Sequence, residues 1–155
     1  MTTEKLVDRF ATIGFLLSGI YNVLGILVFS KLFTNYMLSV VDPVVFSWFG
    51  QVSLLLWGLA YWSVAQSYQN VLYLLVVFFF EKMLYTGTWL VWILEKSSSL
   101  PTIASESPLT AIFFSGYGVG DFVFGIFFGW VALENLKRNL DGNKFKLSVK
   151  GDSDT

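Results

Sequence analysis

The sequence predicts an all-α polytopic membrane protein, an antiparallel bundle of four transmembrane helices. Three observations carry that expectation. Of 155 residues, 55% are hydrophobic and only 14% charged, with a mean hydropathy of +0.64; an ordinary soluble domain is about 25% charged. The apolar residues gather into four runs of about 20, the length a helix needs to cross a hydrocarbon core. The three prolines, Pro43, Pro101 and Pro108, all fall between those runs, where a residue that breaks helix interiors does no damage.

The runs occupy residues 11–33, 44–65, 71–94 and 109–133, giving a cytoplasmic N-terminal segment at 1–10, a membrane domain at 11–133 and a polar cytoplasmic tail at 134–155. Residues 1–10 mix Glu4 and Asp8 with Lys5 and Arg9. That is not the basic leader of a signal peptide, so the first run reads as a retained span. The connector at 66–70 is short and makes the second and third runs antiparallel neighbours. The longest polar connector, KSSSLPTIASESP at 96–108, reads as a solvated linker; Leu100 and Ile103 also allow a lid over an outward-facing pocket. The tail reads as a solvated, partly flexible extension. Backbone groups in lipid must be satisfied within helices or closed barrels, and no run alternates as a barrel strand does.

Charge sets the orientation. Lys5 and Arg9 precede the runs, and Lys137, Arg138, Lys144, Lys146 and Lys150 follow them, whereas the opposite loops carry only Lys31 and Lys96. The positive-inside rule places both termini in the cytoplasm. Short loops and a simple topology favour a bacterial inner membrane.

Missing residue types narrow the chemistry. Without cysteine there is no disulfide, iron–sulfur cluster, thiol nucleophile or thioether lipid anchor. Without histidine the Ser-His-Asp and Cys-His mechanisms, the common zinc sites and His-ligated haem also go. No cofactor or metal site is expected. A net charge of −1 and a pI near 5.3 argue against nucleic acid as a partner.

Among the 10 basic and 11 acidic residues, only Glu81, Lys82 and Asp121 sit deep in the runs. At 1.5 Å per residue, Glu81 lies about 16 Å into the third run and Asp121 about 18 Å into the fourth. Asn22 is at similar depth in the first. A charge at the centre of a spanning helix costs about 2.5–3.5 kcal/mol or more, so three at one level mark a site. Helical phase turns them inward: Gly118, Asp121, Gly125 and Ala132 share one stripe, Gly14, Ser18, Tyr21 and Gly25 another, and Ser47, Gln51, Gly58 and Ala65 a third. On the third run, Glu81, Tyr85, Thr88 and Trp92 align beside Lys82, Thr86 and Trp89. Glu81 and Lys82 are neighbours about 100° apart on a helix, so Lys82 is expected to pair with Asp121, leaving Glu81 the unpaired acid. Candidate ligand-binding residues are therefore Glu81, Lys82, Asp121, Tyr85, Gln51, Asn22, Tyr21, Tyr117, Trp89 and Trp57, with Glu81 and Asp121 as candidate acid–base groups.

Polarity is lopsided about that level. VLYLLVVFFF precedes Glu81 and FVFGIFFGWVAL follows Asp121, whereas Gln51, Tyr85, Thr88 and Tyr117 lie on the outward side. A conducting path needs polar groups along its whole length. This pattern suits a pocket with an apolar floor.

The four runs and their buried acids, including Phe-Glu-Lys at 80–82 and Gly-Asp-Phe at 120–122, resemble two groups of compact four-span proteins. One is the DoxX-like set of bacterial inner-membrane proteins, some of which associate with quinone-linked oxidoreductases. The other is the EXPERA-type set, sterol isomerases and related receptors that hold cationic or sterol-like amphiphiles with intramembrane acids. The resemblance covers 11–133 and carries over no catalytic position. The resulting expectation is a midplane polar pocket for a small lipophilic or amphiphilic molecule (lipid, isoprenoid, quinone or sterol-like), with acid–base chemistry left open. The alternatives are a non-catalytic assembly subunit with a structural polar cluster and, less favoured, a proton- or cation-coupled transporter. Membrane lipids or one lipophile are the expected partners, and both a homo-oligomer and a larger membrane complex are compatible.

Overall fold

In a computed structural model, residues 3–153 are described, with side chains over 5–142. They form six α-helices and two short 3-10 turns: α1 (Thr3–Phe29), α2 (Met37–Val41), α3 (Trp48–Val64), α4 (Leu72–Lys96), α5 (Leu100–Glu106) and α6 (Pro108–Ser153). Among the described residues there is no strand. Three stretches, Lys5–Phe29, Leu72–Glu106 and Pro108–Gly142, are long and apolar enough to cross a membrane. The second apolar run folds as α3, whose 17 residues make it the shortest of the four main helices and leave it outside those three stretches.

Local chemistry sets the helix boundaries. The first apolar run extends to Phe33, but α1 stops at Phe29 because Lys31, Leu32 and Phe33 adopt the left-handed region, with φ of 49°, 56° and 67°. Such a conformation costs roughly 1–2 kcal/mol per non-glycine residue. Hydrogen bonds hold it: Phe33 N donates to Ser30 Oγ (2.9 Å), and Asn35 Nδ2 to the Phe29 carbonyl (2.8 Å) and to Thr110 Oγ1 (3.0 Å). Before α3, Asp42 Oδ1 accepts from the amides of Val44 and Val45, and Ser47 caps the helix by accepting from Gly50 N at 3.1 Å. A Cβ at Gly50 would overlap the Val45 carbonyl, so glycine is required there. Pro108 opens α6, where a missing N–H costs nothing.

Two connectors differ from expectation. The 96–108 segment is not irregular: a 3-10 turn is followed by α5, started by Pro101 and anchored by buried Ile103, while most of its side chains stay exposed. The polar tail continues α6 as helix to Ser153; Lys144, Lys146 and Lys150 lie beyond the described side chains.

α1 packs along α3, and α4 along α6, with α1 meeting α6 between the pairs. Glycines allow the close approaches: a Cβ at Gly58 would come within 2.7 Å of Val23 Cγ2 and 3.0 Å of Asn22 Cβ. The interior has three levels. At the end where α1 begins, Phe15, Tyr61, Phe78 and Phe128 are fully buried and interlock. Tyr61 meets Phe78 and Phe128 with ring centroids 4.8 Å apart, contacts worth about 0.5–1.5 kcal/mol each. At the far end, Ile26, Phe46, Leu54, Trp92 and Phe114 form a second apolar cluster. A polar layer separates the two.

Below the first cluster, Asp8 Oδ1 accepts from Tyr68 OH (2.7 Å) and Arg138 Nη1 (2.8 Å), and Asn135 Nδ2 donates to the Tyr68 carbonyl (3.0 Å). This ties α1, the α3–α4 turn and α6 together. Partial burial pushes the Asp8 carboxyl up, but hydrogen bonds from Tyr68 and Arg138 and the guanidinium charge outweigh it, leaving Asp8 below the ordinary carboxylate value.

Candidate functional site

The polar layer is built around Lys82. The α4 helix turns this side chain wholly inward, with no exposed area. Its Nζ donates to Asp121 Oδ1 on α6 at 2.6 Å and to Asn22 Oδ1 on α1 at 2.7 Å. The rings of Tyr61 and Tyr21 lie 5.3 and 5.6 Å from the ammonium, within cation–π range. Asn22 completes its own bonding by donating Nδ2 to the Leu54 carbonyl at 3.2 Å. One ammonium therefore links three helices.

Glu81 points elsewhere. Its Oε1 is 3.9 Å from Lys82 Nζ, a long approach imposed by their adjacency on α4. Its Oε2 accepts a hydrogen bond from Tyr61 OH on α3. Oε1 is buried with no hydrogen-bond partner among the described residues.

On the far side of the Lys82–Asp121 pair is a cavity of about 210 Å³ between α1 and α6. Tyr21, Asn22, Gly25, Ile26 and Phe29 form its α1 wall, and Ile112, Phe113, Gly116, Tyr117, Gly120 and Asp121 its α6 wall; Phe46, Leu54 and Tyr85 complete it. The wall is overwhelmingly apolar, with Asn22, Asp121 and three tyrosines as its polar members. A Cβ at Gly25 or Gly116 would meet nothing within 4 Å. These two glycines leave space, whereas Gly118, Gly120 and Gly125 are filled against by Trp89, Tyr21 and Met83. The small-residue stripe on the first run, read as a packing face, is thus packed at Gly14 against Phe127 and open at Gly25. Tyr21 OH donates to the Tyr117 carbonyl at 2.6 Å, closing the seam beside the cavity.

Five of the ten candidate residues, Tyr21, Asn22, Tyr85, Tyr117 and Asp121, line this cavity. Lys82 stands behind them as their support. Glu81 is brought to Tyr61 instead. Gln51 is buried and does not line the cavity; its Nε2 donates at 2.8 Å to the carbonyl of Phe46, which does. Trp89 donates Nε1 to the Phe114 carbonyl (2.9 Å), and Trp57 packs edge-on against Phe78 (6.2 Å); neither reaches the cavity wall.

Tyr61 was not among the candidates, although it lies three residues after Gly58 and four before Ala65, beside the stripe they form with Gln51. Phe46, which precedes α3, had no periodic signal to mark it. Chemically, the site offers a carboxylate balanced by an ammonium, tyrosyl hydroxyls and aromatic faces. No known protein family, characterised protein or solved structure matches this chain.

Proposed function

We propose that this chain is a four-span integral membrane protein, with both termini cytoplasmic in a bacterial inner membrane, whose cavity holds a small lipophilic or amphiphilic molecule. The observation that carries the reading is the cavity itself: a mostly apolar chamber of about 210 Å³ whose few polar groups include Asn22 and Asp121. Ligand pockets have this composition. Leu24, Val28, Ile112 and Val119 flank the α1–α6 seam and are each more than half exposed. A continuous apolar exterior of this kind is foreign to water and gives a lipophile a lateral route from the hydrocarbon. At 17 residues α3 reaches about 25 Å, within the lower range for a span. The aromatic cluster around Phe15, Tyr61, Phe78 and Phe128 closes the opposite half, which speaks against conduction.

One observation favours a second reading. Lys82 is fully buried, bonded to both Asn22 and Asp121 and absent from the cavity wall, as a purely structural clasp in an assembly subunit would be. The two readings part in the solvent-extractable lipophile that co-purifies with two monodisperse variants. Asp121→Asn, altered at the cavity wall, is expected to lose it, while Glu81→Gln, altered behind the wall, keeps it. Unchanged content in Asp121→Asn would leave the clasp reading standing alone.

A further inference from the structure

We infer that the occupant is a neutral lipophile whose inner end is a single ring bearing a hydroxyl group, with its hydrophobic tail leaving through the α1–α6 seam. This deepens the binding reading above and rests on it.

The first ground is hydrogen-bond inventory. Asp121 uses Oδ1 for Lys82, and its second oxygen accepts no bond among the described residues. One turn earlier on the same face of α6, the Tyr117 hydroxyl is buried and has no partner among them; the residue is 6% exposed and lines the same cavity. The cavity thus presents an unfilled acceptor on Asp121 and, one turn away on α6, an unfilled hydroxyl on Tyr117. A ketone or ether has no hydrogen to give Asp121. A hydroxyl can donate to the carboxylate or accept from the tyrosine. Burying either group unpaired is unfavourable, so both select for a matching head.

The second ground is charge. Lys82 already neutralises Asp121 at 2.6 Å. A cationic head would place a second positive charge beside that ammonium. A neutral head leaves the pair intact.

The third ground is size and shape. A cavity of about 150 Å³ admits benzene, so about 210 Å³ holds one ring with its substituent but not the four fused rings of a sterol or a phospholipid head. Its walls suit a ring: Phe113 and Tyr117 stack with centroids 4.9 Å apart and planes 16° apart, and Phe46 stands edge-on to both.

The probes are 4-nonylphenol, its methyl ether 4-nonylanisole and the cationic 4-nonylbenzylamine, titrated into the purified full chain by calorimetry. Expected is phenol binding about tenfold or more tighter than anisole, because only the phenol can donate to Asp121, whereas Tyr117→Phe, which removes a donor that either oxygen can use, weakens both probes and keeps the preference. The Gly116→Leu variant, whose side chain grows into open cavity, should bind none of the three. Equal binding of phenol and anisole, or tightest binding of the amine, with all of it lost in Gly116→Leu, would overturn the hydroxyl assignment and leave the pocket standing. Binding that Gly116→Leu does not alter, or no binding of any probe, would overturn both.

Discussion

Lys82 carries more of the interior than any other residue. Removing its ammonium leaves the Asp121 carboxylate buried and uncompensated, and breaking such a pair from one side costs about 3 kcal/mol or more. Lys82→Met is therefore expected to lower the thermal midpoint in detergent steeply. The double variant Lys82→Met/Asp121→Leu, which removes both charges, should recover most of the loss. If the double variant is no better than the single one, the pair is not the source of the effect. Tyr61→Phe removes the hydrogen bond to Glu81 and should cost about 1–2 kcal/mol without changing ligand content, because neither residue lines the cavity. The contrast between the two acids was legible in the sequence: adjacency on one helix makes direct pairing of Glu81 with Lys82 awkward and turns the ammonium to Asp121. Which group then meets Glu81 was not, because the Tyr61 hydroxyl reaches it from another helix.

Helices pack here through glycines, and their substitutions should divide into two classes. Gly58→Ala drives a methyl into Val23 and Asn22 where α1 crosses α3, an overpacking that costs about 1–3 kcal/mol. Gly25→Ala and Gly116→Ala meet empty space and gain helix propensity, worth up to about 1 kcal/mol each. Unfolding midpoints of the three variants check this division; a loss shared by all three would mean that the cavity is not open. The turn after α1 offers a separate check. Leu32 is exposed and left-handed at φ 56°, so Leu32→Gly should stabilise by about 1 kcal/mol. Hydropathy placed the four runs but overran the end of α1, since three apolar-flanked residues in a left-handed turn leave no mark on composition. It likewise passed over α5, because serine and proline signal a connector equally well whether it is open or a short capped helix. A stripe of glycines announces a helix crossing; it does not distinguish a filled crossing from a vacant one, which depends on the side chain opposite.

At the scale of the molecule, two fastenings bracket the chamber: the Asn35–Thr110 contact at the far end and the Asp8–Tyr68–Arg138 network at the end where α1 begins. The Asp8 carboxyl is held below its ordinary value, so its contribution is complete above the unfolded pKa near 4 and is lost as pH falls through the lowered folded value. Acid titration should loosen that end first, and Asp8→Asn should flatten the acid limb of the stability curve. Between the fastenings, the central claim is that the space between α1 and α6 is occupied by one lipophile. The chain lends itself to a direct test by native mass spectrometry of wild type released from membranes, beside Gly25→Leu/Gly116→Leu and the surface control Gly87→Leu, whose Cβ also meets nothing but lies away from the cavity. A single small adduct per chain in wild type and Gly87→Leu, absent from the double variant, is the expected result; an adduct retained when the cavity is filled, or none in any of the three, would contradict it.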